Sequence, residues 1–326
     1  MYRSEATETS KEFELIYRPE HIEKIEELIE KNFDIYFRKL LDSAKENDSL
    51  EKLKSKWGKR FSQKSDAEII KTLFAQQIDE YEKEAESYRK MFKSERFEEY
   101  RYEENNFKKY LIAGSPVIKN SYHSRAEELS EWQKSFAKTS SVDLLDIFQN
   151  LIEFATDYSG SYEEDRYENY SSADDFDFDE IEEENYGILG VVGMGIKAVT
   201  LYHLYPQIFP RRGKLDLFGM YFLTDKAFLR LPTKTSEFIM VNDKANGKEG
   251  IYKVDQNYWY PYGLFAAYAM KLYRMIARRS EELGAPLDQR YRYVYVNTYL
   301  ENICACHASD IQTLTQSSSL DRKSPW

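Results

Sequence analysis

A run of glycine and apolar residues at 187–206 constrains the fold most, because it lies between the most acidic segment and the most apolar third of the chain. Four of the 13 glycines fall within its first nine residues, at Gly187, Gly190, Gly193 and Gly195. In one interpretation they form a phosphate-binding loop at a helix N-terminus, with Lys197 as the counter-charge. In the other they let neighbouring helices approach a buried helix, which ends at Pro206.

The spacing of the glycines favours the buried helix. A Walker A loop has four residues between its glycines and then Gly-Lys-Ser/Thr, whereas the order here is G-x-x-G-x-G-x-K. A dinucleotide-binding loop follows a strand, but three glutamates at 182–184 precede this run. We therefore expect Gly193 and Gly195 to lie inside a helix packed against 262–283, so that a larger side chain at 193 overpacks the core. The run is shorter than the ~20 apolar residues of a membrane span, and no membrane association is expected.

The negative charge of the chain is concentrated in one segment, 161–184, which we call the acidic segment. It holds 12 acidic side chains and one basic side chain, a balance of −11 that equals the net charge of the whole chain. The remainder sums to zero, with −6 on residues 1–160 and +6 on 185–326. Such a block is typical of a disordered linker, the interpretation we favour. The alternative is a strip that docks on a basic surface, either of this chain or of a partner.

Helical periodicity dominates the first 156 residues. Ser65 and Glu68 have the spacing of a capping box at a helix N-terminus. Apolar residues then recur every three or four positions, at Ile70, Phe74, Ile78, Tyr81, Ala85, Tyr88 and Phe92. This seam predicts one uninterrupted, coiled-coil-like helix over 65–92 whose apolar side faces a second helix.

The C-terminal third combines apolar helices with strand patterns. Residues 236–242 and 251–254 indicate paired strands, and 262–283 is apolar on most sides, as a central helix would be. The alternation at 290–296 favours a strand, with a buried helix as the alternative. The predicted fold class is mainly α, α+β overall, with a small β-hairpin packed on apolar helices. Its parts are a helical N-terminal region at 1–156, an acidic linker at 157–184, a compact α+β domain at 185–312 and a flexible tail at 313–326.

The two cysteines provide one weak candidate for a metal site. Cys304, Cys306 and His307 have zinc-ligand chemistry, but a structural zinc site needs four ligands and no second pair occurs. We interpret them as small thiols at a helix end. Two cysteines make no disulfide framework, and the N-terminus has no apolar signal sequence, so a cytoplasmic location is expected.

Three acids are weak candidates for catalysis. A magnesium-dependent nuclease needs carboxylates and a lysine around a strand, and the available acids are Asp216, Glu237 and Asp255. Glu237 begins a predicted strand, but no Glu-x-Lys pattern follows it. Ordinary turn and edge charges are the favoured interpretation. Whether the chain is an enzyme stays open, and no cofactor is expected.

A basic and aromatic surface of the C-terminal half is the main binding candidate. Arginine beside tyrosine suits phosphates and stacked bases, and the candidate residues are Arg211, Arg212, Lys214, Arg290 and Arg292. We expect the acidic segment to shield this surface around Arg211, Arg212 and Lys214, so that its deletion raises polyanion binding.

The function expected from the sequence is that of a non-enzymatic cytoplasmic partner-binding protein, for example a subunit of a multi-protein bacterial system. The alternative is an effector that binds or cleaves nucleic acid with its basic C-terminal face. Self-association through the N-terminal helices would be compatible with either function.

Overall fold

Helices build most of the molecule. The computed structural model describes residues 14–54, 64–226, 236–241 and 254–315. The helices before the glycine run are α1 (Pro19–Lys54), α2 (Asp66–Met91), α3 (Ser94–Tyr102), α4 (Phe107–Gly114), α5 (Pro116–His123), α6 (Ser130–Lys138), α7 (Ser141–Gly160), α8 (Glu164–Tyr167) and α9 (Ala173–Phe176). Those after it are α10 (Met194–Leu204), α11 (Lys214–Leu223), α12 (Tyr262–Glu282), α13 (Arg292–Cys306) and α14 (Ala308–Thr315).

A small antiparallel sheet completes the fold. Strands β1 (Ile239–Val241) and β2 (Val254–Gln256) pair with Met240 opposite Asp255. The predicted strand pair and the mainly α, α+β class are therefore confirmed. The loop predicted at 243–250 lies outside the described residues.

Helix α2 forms as its sequence pattern predicts. The Ser65 side chain accepts the backbone N–H of Glu68 at 3.3 Å, and the Glu68 carboxylate accepts the backbone N–H of Ser65 at 2.8 Å. These reciprocal bonds satisfy two helix-terminal donors, and the helix then continues unbroken to Met91. Its apolar side packs on α1, α10 and α13, so the seam contacts several helices.

The predicted strand at 290–296 is wrong, because residues 290–291 end a 3-10 turn and residues 292–296 begin helix α13. Tyr293, Val294, Tyr295 and Val296 are all buried there. The helix packs against α1, α2, α11 and α12, and a helix surrounded in this way needs apolar residues on every side. Tertiary packing overrides the β propensity of tyrosine and valine.

The glycine run is helical only in its second part. Helix α10 begins at Met194, and Gly193 is its exposed N-cap, where a Cβ atom would meet no other atom. The prediction that a larger side chain at Gly193 overpacks a core is therefore wrong. The glycine that permits close helix packing is Gly219 on α11, where a Cβ would lie 2.9 Å from the Leu300 Cβ on α13.

The acidic segment is folded, which corrects the interpretation of 157–184 as a solvated linker. Tyr167, Phe176, Phe178 and Ile181 are buried. Counting the charges of this segment did not reveal these four buried residues, because exposed acids lie between them in the sequence. The chain between α7 and the glycine run therefore contributes to the core.

One hydrophobic cluster includes residues from both predicted domains. Leu144 and Phe148 of α7 belong to it together with Leu217 of α11 and Phe265 of α12. The domain boundaries at 156 and 185 stay predictions, although the packing is continuous across them. Of the predicted tail, 313–315 belong to α14 and 316–326 lie outside the described residues.

Candidate functional site

Two of the arginines predicted to form a basic surface, Arg211 and Arg212, point into the protein. The Arg211 guanidinium donates to the Asp216 carboxylate at 3.0 Å and to Glu301 at 2.8 Å. Arg212 is 1% exposed and donates to the backbone oxygen of Asn257 at 2.7 Å. The sequence alone showed no structural reason for this adjacent pair. In the structure, the hydrogen bonds of both side chains stabilise the turn before α11.

The remaining predicted cations are also engaged. Lys214 lies 3.5 Å from the Asp255 carboxylate, and the exposed Arg290 binds Asp288 at 2.6 Å. Arg292 is fully buried, and it donates to Glu164 and to the backbone oxygen of Gln207. The structure thus does not bring these five binding candidates together as one accessible basic surface. The acidic segment contacts Arg292, which was not among the three residues that it was expected to shield.

The three candidate acids serve separate local roles. Asp216 is buried and accepts the Gly213 N–H at 2.7 Å, which caps α11. Glu237 accepts a hydrogen bond from the Tyr260 hydroxyl at 3.1 Å and contacts the His21 ring. Burial raises the pKa of Glu237, and the contact with His21 opposes that rise. Among the described residues, no three acids, histidines or cysteines converge closely enough to hold a metal ion.

The Cys-Ala-Cys-His motif is likewise divided. The buried Cys304 thiol donates to the Leu215 carbonyl at 3.1 Å, whereas Cys306 is exposed. The His307 ring contacts the Tyr36 hydroxyl at 2.8 Å and the Asp310 carboxylate at 3.0 Å. With both ring nitrogens engaged, His307 is a structural link between α1 and α14.

A cavity of about 390 Å³ lies between α7 and the acidic segment. Four carboxylates surround it, those of Glu153, Asp157, Asp177 and Glu180. None of the four forms an ion pair with a lysine, arginine or histidine in the part of the chain that the structure describes. The cavity therefore carries uncompensated negative charge in a concave surface.

Aromatic rings form the other part of the cavity lining. Phe154 lies 5.8 Å from Tyr158 and 6.1 Å from Tyr186 between ring centroids. Burial, together with the neighbouring Glu180 carboxylate, raises the pKa of Tyr186 to about 12. The Tyr186 hydroxyl therefore stays protonated at neutral pH and donates to Glu180.

The arrangement suits an organic cation. Carboxylates attract the charge, and the face of an aromatic ring stabilises a guanidinium or ammonium group by ~0.5–2 kcal/mol. Sequence reasoning missed this site because it considered only the apolar side of α7. The signal was present, because alternating spacings of three and one place the lining residues on one side of α7 and at its C-cap: Asn150, Glu153, Phe154, Asp157, Tyr158 and Ser161.

Comparisons with known proteins give no relative: no protein family, curated protein or solved structure matches this chain. Within the described ranges, no helix combines the length and apolar character needed to cross a membrane.

Proposed function

We propose that this protein binds a partner protein and that its acidic cavity receives a basic segment of that partner. The observation that carries the proposal is the set of four carboxylates around a concave, partly aromatic surface, none of which has an ion-pair partner among the described residues. Charge complementarity of this kind favours specificity and fast association. A non-enzymatic role in the cytoplasm, as a subunit of a larger assembly, is part of the same proposal.

The nucleic-acid alternative has less support from the same structure. Phosphate binding requires accessible cations, and Arg211, Arg212 and Arg292 use their guanidinium groups inside the protein. Self-association through the N-terminal helices has less support as well. Five apolar residues of α1 are buried within the chain and so do not offer a surface to a second copy: Ile25, Ile29, Phe33, Phe37 and Leu40.

The proposal is tested by peptide binding to a cavity variant and a matched control. Glu153→Gln with Asp157→Asn removes two cavity carboxylates from α7. The control variant, Glu127→Gln with Glu128→Gln, removes two exposed acids that do not line the cavity. The probe is a fluorescent peptide that alternates arginine and glycine, measured by anisotropy at low salt.

We expect the cavity variant to bind the peptide about tenfold more weakly, a loss of ~1.4 kcal/mol. The control variant should change affinity by less than about twofold, because Glu127 and Glu128 do not line the cavity. Equal losses in both variants would show that only net charge matters. Tighter binding of labelled duplex DNA than of the peptide would favour the nucleic-acid alternative.

A further inference from the structure

Two buried cations have no carboxylate in contact within the part of the chain that the structure describes. Lys197 on α10 is 4% exposed, and its ammonium group donates to the Ile181 carbonyl. Arg212 donates from one terminal nitrogen to Asn257, and its Nε has no hydrogen-bond partner among the described residues. Burying a cation without a contacting anion is unfavourable, so both groups indicate a place for an anion.

A helix N-terminus lies near the two cations, linked to them through neighbouring residues of the chain. Helix α12 begins at Tyr262, and its N-cap residue Pro261 makes no side-chain hydrogen bond to the helix. The Tyr262 hydroxyl donates to the Pro210 carbonyl at 2.7 Å, two residues before Arg212. The free N–H groups of a helix N-terminus attract anions, which adds to the field of the cations.

One carboxylate of the acidic segment already reaches this place. Glu182 is an exposed residue, but its carboxylate turns inward and accepts the Tyr262 backbone N–H at 2.5 Å. Its chain neighbour Ile181 is the residue that accepts from Lys197. Burial lowers the pKa of Lys197 to about 8 and that of Arg212 to about 10, while the nearby Glu182 charge opposes both shifts. A single carboxylate therefore compensates two cations incompletely.

We propose that Lys197, Arg212 and the Tyr262 amide form an oxyanion site. Glu182 takes the amide in cis, and a phosphoryl group takes the whole site when Glu182 withdraws. A phosphate dianion matches two cations and a helix N-terminus better than one carboxylate does. Glu182 is tethered, so its effective concentration is in the millimolar range or above. The internal carboxylate thus weakens ligand binding in the unmodified chain.

The experiment follows thermal unfolding at pH 7 while inorganic phosphate replaces chloride at constant ionic strength. A ligand that binds only the folded state raises the melting temperature in a saturable way. Glu182→Ala frees the site, and Glu183→Ala is the matched control, because it removes a neighbouring exposed acid. The double variant Glu182→Ala with Lys197→Met also removes one cation and replaces lysine with an unbranched side chain of similar length.

We expect Glu182→Ala to reach its half-maximal shift at a phosphate concentration at least about tenfold lower than the unmodified chain needs. Glu183→Ala should behave as the unmodified chain does, and Lys197→Met should abolish the gain. The same titration with a phosphoserine peptide distinguishes a protein-borne phosphoryl group from free phosphate. Equal responses of the Glu182 and Glu183 variants, or a gain that survives Lys197→Met, would overturn the proposal. Neither result depends on peptide binding in the acidic cavity.

Discussion

The Glu164 carboxylate binds the Arg292 guanidinium, although 128 residues separate the two in the chain. Arg292 also donates to the Tyr162 hydroxyl at 3.1 Å, and its guanidinium lies 5.1 Å from the Tyr167 ring centre and 5.0 Å from that of Tyr273. This ion pair therefore attaches the acidic segment to α13, and three tyrosine side chains lie around the Arg292 guanidinium.

Removing this cation should destabilise the fold. We expect Arg292→Met to lower the free energy of unfolding by about 3 kcal/mol, because it leaves Glu164 and the Gln207 carbonyl without their partner. Arg290→Met is the control, since Arg290 is exposed and solvent screens its pair with Asp288, which should contribute little. Urea unfolding of both variants measures the difference. Similar losses at the two positions would contradict a structural role for the buried pair.

Two glycines should differ in how much stability they lose on substitution by alanine. At Gly219 a Cβ would lie 2.9 Å from the Leu300 Cβ and 3.0 Å from its carbonyl oxygen, so Gly219→Ala should cost about 1–3 kcal/mol by overpacking. At Gly193 nothing lies within 4 Å, and Gly193→Ala should cost less than ~1 kcal/mol. Thermal unfolding of the two variants measures the difference in stability. A Gly193→Ala protein that is less stable than Gly219→Ala would contradict the prediction.

Proline in the middle of α2 should break the helix. Ile78→Pro removes a backbone hydrogen bond and clashes with the preceding turn, so we expect a loss of ~3 kcal/mol or more. Ile78→Ala is the control for the lost side chain, which is only half-buried, and it should be the milder change. Circular dichroism and denaturant unfolding report helix content and stability. Equal stability of the two variants would argue against an uninterrupted helix over 66–91.

Stability should rise with pH in the range where only the folded state has lost the Lys197 proton. Burial lowers the pKa of Lys197 from 10.5 to about 8. Between these values the unfolded chain binds more protons than the folded chain, so unfolding becomes less favourable as pH increases. We expect the free energy of unfolding of the unmodified chain, minus that of Lys197→Met, to increase from pH 8 to pH 10. A flat difference over this range would mean that Lys197 keeps its proton in the folded state.

Local sequence determined the elements whose stabilising contacts are close in the chain. The capping box of Ser65 and Glu68 and the apolar spacing from Ile70 to Tyr88 predicted α2, because a helix satisfies its backbone within a few residues. The strand pair of β1 and β2 was predictable for the same reason. The charge of the acidic segment could be counted, but its folded state could not, since four buried apolar residues outweighed twelve exposed or paired acids.

Tertiary structure alone decided which charges are accessible. Arg212 and Arg292 read as surface cations in the sequence, yet their partners, Asn257 and Glu164, come from distant parts of the chain. The acidic cavity arises in the same way, because α7 supplies one wall and the acidic segment the other. Whether a charged side chain is neutralised or left free depends on which elements pack around it, and this packing is set by burial of apolar surface throughout the fold.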